Sequence, residues 1–153
     1  MIKKLMIAAI SALFVMQAGL ALADVTPTRV FTVNKTAGNV FMVVTDDDNS
    51  GYQEVSYIPS KSAGHVIAEP HAWFRKPTAH NFTAQLFYEG VEGAFCTVKF
   101  VVENTFNTKP EVTGITVKSV EGICTAAGFI EESKRNTACQ VVIKPADAAA
   151  NSK

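Results

Sequence analysis

From position 29 onward, apolar and polar residues alternate in short bursts rich in Val, Ile, Phe, Thr and Tyr, with Gly, Pro, Asn and Asp between them. A period of two carried by β-branched and aromatic residues marks a half-buried strand, because successive side chains leave the backbone on opposite faces. Strands are predicted over residues 29–34, 40–45, 52–58, 65–68, 81–88, 95–103, 112–120 and 139–144. The clearest case sets Cys96, Val98, Phe100 and Val102 on one face against Thr97 and Lys99 on the other. In the last predicted strand Cys139, Val141 and Ile143 share a face. Val142 interrupts the polar face opposite them, so this strand is expected to be covered on both sides.

Turn-forming residues fall between these runs, at Ala37-Gly38-Asn39, from Asp46 to Gly51, at Glu89-Gly90 and Glu92-Gly93, and from Asn107 to Pro110. No window sustains a helical period. The one segment whose spacing admits a short helix is Thr125–Asn136, where Glu131 and Arg135 stand four apart, although Gly128 weakens it. Eight or so short strands with frequent turns predict an all-β domain of two packed antiparallel sheets, an immunoglobulin-like or related sandwich. A small closed β-barrel is the alternative. Trp73 precedes all three cysteines, so the Cys, Trp, Cys order of immunoglobulin domains is absent.

The first 23 residues follow a different pattern. Lys3 and Lys4 precede a largely apolar run from Leu5 to Met16, and Ala21-Leu22-Ala23 supplies the small-x-small pattern that a signal peptidase cleaves. That apolar core is about a dozen residues long, whereas a spanning helix needs about 20. Residues 1–23 are therefore expected to be a cleavable signal peptide of bacterial type, residues 24–144 the single domain, and residues 145–153 a flexible Ala-rich tail. The expected location is the periplasm or the exterior, with no membrane span after cleavage. Of the 14 basic side chains two lie in the leader, which leaves 12 against 14 acidic ones and a formal charge of −2. That balance argues against a nucleic-acid partner, which favours a basic patch.

Export permits disulfides, and three cysteines leave one thiol over. Cys124 and Cys139 flank the polar run Ile130–Thr137, which reads as an exposed excursion tied at its base. Cys124–Cys139 is the expected bridge, with Cys96–Cys124 next. On that expectation Cys96 is a buried free thiol beside Val98 and Phe100, acting as a small core hydrophobe.

Three further clusters hold candidate chemistry. The run Asp46-Asp47-Asp48-Asn49-Ser50-Gly51 resembles the first half of a calcium loop, but the twelfth position, which needs a bidentate Glu, is Tyr57. A solvated hairpin tip is the expectation. His65, His71 and His80 fall within sixteen residues and raise a zinc or copper site as the alternative to having no cofactor, although their spacing fits no tight ligand motif. The segment from Pro70 to Pro77 carries His71, Trp73, Phe74, Arg75 and Lys76, which combine aromatic area and cations on a loop bounded by prolines. It is the candidate ligand or partner loop, against the plainer role of Trp73 as a plug for the end of the sandwich. No residue stands in the setting of an activated nucleophile, and no catalytic residue is nominated. The function expected is that of a monomeric, non-enzymatic exported domain binding a protein or other surface ligand through loops at one end of the sandwich. A periplasmic metal-binding protein using the three histidines is the alternative.

Overall fold

A computed structural model describes residues 28–48, 52–68, 78–106, 110–132 and 137–147. The expected leader, the loop 69–77 with His71 and Trp73, and residues 148–153 lie outside the described residues. Among the described residues nine strands follow in order: β1 (Thr28–Asn34), β2 (Val40–Asp46), β3 (Gln53–Ile58), β4 (Ser62–Ala68), β5 (Thr78–Tyr88), β6 (Cys96–Phe106), β7 (Pro110–Gly122), β8 (Cys124–Glu132) and β9 (Thr137–Pro145). They form a four-stranded sheet, β4-β1-β9-β8, packed on a five-stranded sheet, β3-β2-β5-β6-β7. The all-β sandwich expected from the alternation is thus what forms, and the closed barrel is not. Among the described residues no helix is long and apolar enough to cross a membrane.

Alternation explains why each strand faces as it does. β2 turns Val40, Met42, Val44 and Asp46 inward, and β5 does the same with Phe82, Ala84 and Leu86. β6 contributes Val98, Phe100 and Val102, while β1, β4 and β9 close the core from the other sheet with Val30, Val66, Val141 and Ile143. Phe82 and Phe100 stack across the β5–β6 pair at 5.4 Å between ring centroids. Burying each large apolar side chain contributes about 1.5–3 kcal/mol, and this shared interior is what holds two sheets face to face.

Four expectations need correction. The sheets are not wholly antiparallel, since β1 runs parallel to β9, with Thr28 level with Cys139. Residues 124–132 form a strand instead of a helix. Its inward positions are Cys124, Ala126 and Gly128, too small to register as an apolar face, and it pairs along its whole length with β9. A Cβ on Gly128 would meet Ile115 Cγ2 at 2.6 Å, so the close approach of β7 demands glycine there. The domain also runs past residue 144. Pro145 still belongs to β9, Ala146 N–H donates to Ile123 O at 3.0 Å, and Ala37 N–H donates to Asp147 Oδ1 at 3.3 Å.

The fourth correction is the disulfide, which joins Cys96 to Cys124 and leaves Cys139 as the buried free thiol. In the β8–β9 hairpin Cys124 lies level with Pro145 and Cys139 level with Ile130. Six residues of strand, about 20 Å, therefore separate Cys124 from Cys139, far beyond the roughly 7 Å a disulfide spans. Cys96 and Cys124 instead begin neighbouring strands of opposite sheets, and their bridge ties the two layers together.

Candidate functional site

The two ends of the sandwich are built differently. At the end where β1 finishes and β2 begins, side-chain amides and hydroxyls tie the turns down. Asn34 Nδ2 donates to the carbonyls of Gly38, Ile58 and Pro59 at 2.9–3.1 Å, and its Oδ1 accepts from Thr36 N–H and Thr36 Oγ1. Ser60 Oγ donates to Thr36 O, and Asn39 Nδ2 donates to Glu89 Oε2 at 2.7 Å. The disulfide, the stacked Tyr88 and Phe95 rings, and Gly122 close the same end. Gly122 holds φ +92°, where a Cβ would strike Phe95 O.

The opposite end gathers Asp46, Asp48 and His80. β2 carries its inward alternation one residue past Val44, so Asp46 is only 1% exposed. The expectation of an acidic tip that is merely solvated fails at this residue, because a period of two places its side chain with the core. Asp46 Oδ1 accepts from Asp48 N–H at 3.1 Å, a local turn that folds the tip back over β5. There Asp47 N–H donates to Asn81 O at 2.9 Å, Thr83 Oγ1 donates to Asp47 Oδ2, and Asn81 N–H donates to Asp48 Oδ2 at 2.7 Å. The side-chain amide of Asn81 also donates to the Asp48 carboxylate.

β5 brings the third group. His80 pairs with the core residue Val102 and lies two positions before Phe82, itself level with Asp46, so its ring faces the interior. One ligating atom each from Asp46, Asp48 and His80 lies within 4.8 Å of the others. Both ring nitrogens of His80 are shielded from solvent and have no hydrogen-bond partner. Leaving such a buried polar atom unmatched costs about 1–3 kcal/mol. Across the sandwich, Thr32 Oγ1 donates to Met42 Sδ at 3.1 Å. Thr28, the first residue of β1, lies at this same end on the facing sheet. Thr28 is 0% exposed, and its Oγ1 likewise has no partner.

The histidines do not converge as a trio. His65 lies on β4 between the inward Gly64 and Val66 and is exposed on the outer side, in a groove with Tyr52, Glu54 and Ile67, whereas His80 faces inward from the other sheet. His71 and the partner-loop residues Trp73, Phe74, Arg75 and Lys76 lie outside the described residues. Cys96, expected as the free thiol, is bridged, and burial pushes the Cys139 thiol above its ordinary value. What sequence reasoning missed is the joining of Asp46 and Asp48 to His80. The signal for it was present in part, since Asp46 continues the inward series Val40, Met42, Val44, and His80 the series Leu86, Ala84, Phe82.

Comparison with protein families, with curated proteins and with solved structures returned no match to this chain.

Proposed function

We propose that the protein is an exported, non-enzymatic binding domain that engages a protein or other surface ligand through the end of the sandwich carrying Asp46 and His80. The observation that supports this reading is the contrast between the two ends. β2, β4, β6 and β8 all finish at the Asp46 end, and β3, β5, β7 and β9 all start there. The strands on either side of residues 69–77, which include Trp73, Phe74, Arg75 and Lys76, end at Ala68 and begin at Thr78 here. A rigid β scaffold that presents several connections side by side is a common platform for recognition. The other end is occupied by its own hydrogen-bonded turns and the disulfide. An intramolecular disulfide also suits the oxidising compartments to which the expected leader would direct the chain.

The reading is tested by placing a photo-cross-linking side chain at position 47 or, at the opposite end, at position 61, and irradiating the producing cells. A discrete adduct from position 47 and none from position 61 is expected. Adducts from position 61 alone, or from neither, would overturn it.

A further inference from the structure

We infer that Asp46, Asp48 and His80 form a binding site for a first-row divalent cation of the zinc class. Three observations converge on it. The donor atoms already lie within 4.8 Å of one another. Three donors sharing a tetrahedral cation at about 2.1 Å stand about 3.4 Å apart, so side-chain rotations that move the donor atoms by about an ångström complete the arrangement. The second observation is independent of the carboxylates: both ring nitrogens of the half-buried His80 are shielded from solvent with no hydrogen-bond partner, and a metal ion is a partner that an imidazole lone pair can take. The third is Thr28 Oγ1, fully buried without a partner at the same end of the sandwich on the facing sheet, which makes this end of the interior polar from both sides.

Donor chemistry selects the cation. Two carboxylates and one imidazole suit borderline divalent ions, whereas calcium and magnesium favour all-oxygen shells and copper(I) favours sulfur. Two carboxylates facing one dication also balance its charge, which a neutral imidazole leaves unchanged. Asp48 is held toward the site by three hydrogen bonds from Asn81, so one ligand is positioned before any ion arrives. The three residues come from two neighbouring strands and their tip, and the pairing of Asp46 with Phe82 fixes their relative position.

The site shares its end of the sandwich with the surface proposed above but does not depend on it, since an ion can bind whether or not a macromolecule does. The test uses the purified protein without a His-tag, stripped with a chelator and titrated with zinc chloride by calorimetry, with calcium chloride as comparison. One zinc per chain is expected, with an affinity that falls about tenfold or more in Asp48→Asn and in His80→Gln and is unchanged in His65→Gln. Asp48 is exposed, so its variant keeps the fold, and a retained Cys96–Cys124 bridge with unchanged circular dichroism confirms it. Zinc should also shift the imidazole NMR signals of His80 and leave those of His65 in place. Zinc binding that survives both Asp48→Asn and His80→Gln, binding lost with His65→Gln, calcium binding as tight as zinc, or no zinc binding at all would each overturn the site. The cross-linking outcome at position 47 is read separately and bears only on the macromolecular ligand.

Discussion

Cys139 illustrates how a single side chain couples the interior to solution conditions. Its thiol faces the core beside Val141 and Ile143, and desolvation raises its pKa because the thiolate is disfavoured there. The folded protein then holds this proton to higher pH than the unfolded chain does. The sign follows: the stability present below the ordinary thiol range declines as pH rises through that range and above it. Denaturation measured between about pH 7 and pH 10 should therefore show wild type losing stability relative to Cys139→Ala as pH increases. A constant difference between the two would mean that the thiol is not shielded. Asn34 shows the complementary case of a buried polar group that is fully used, with one amide bridging three carbonyls from two connections. His80 stands between these extremes, polar and shielded but without a partner.

At the level of elements, β8 and its disulfide decide how the layers are joined. The bridge closes a separation of 28 residues between strands of opposite sheets. Chain entropy alone assigns about 3–4 kcal/mol to a loop of that size. Replacing Cys96 and Cys124 together by Ala should lower unfolding stability by roughly that amount, and peptide mapping without reduction should recover the Cys96–Cys124 pair. Recovery of Cys124 linked to Cys139 would contradict the β8–β9 register. The misreading of β8 as helical has a physical cause. A strand whose inward residues are Ala and Gly buries little area of its own and is held by pairing with β9 and by the close approach of Ile115, neither visible in local hydropathy.

For the whole molecule, the question is what the Asp46 end presents. β4 ends and β5 begins there, on either side of residues 69–77. If Trp73 is a recognition anchor, its emission is red-shifted and quenched by iodide, and Trp73→Ala leaves the melting temperature nearly unchanged. That outcome is expected on the proposed reading, in which Trp73 contacts the ligand. A blue-shifted, protected emission together with a loss of about 3–5 kcal/mol in the alanine variant would identify Trp73 as a plug and remove it from the surface.

The sequence by itself determined the class of fold and most of its strands, because a period of two reports directly which residues meet water and which do not. Val40, Met42 and Val44, or Val98, Phe100 and Val102, could be assigned to the core with no partner in view. Even the inward direction of Asp46 and His80 was implicit in that period. Tertiary structure alone decided the rest, since register and sheet order are relations between segments far apart in the chain. Which cysteine meets Cys124 depends on β8 pairing with β9 so that Pro145, and not Cys139, lies beside it. Likewise, that the acidic tip meets His80 and not His65 follows from Asp46 standing level with Phe82, a pairing across 36 positions that no local pattern encodes.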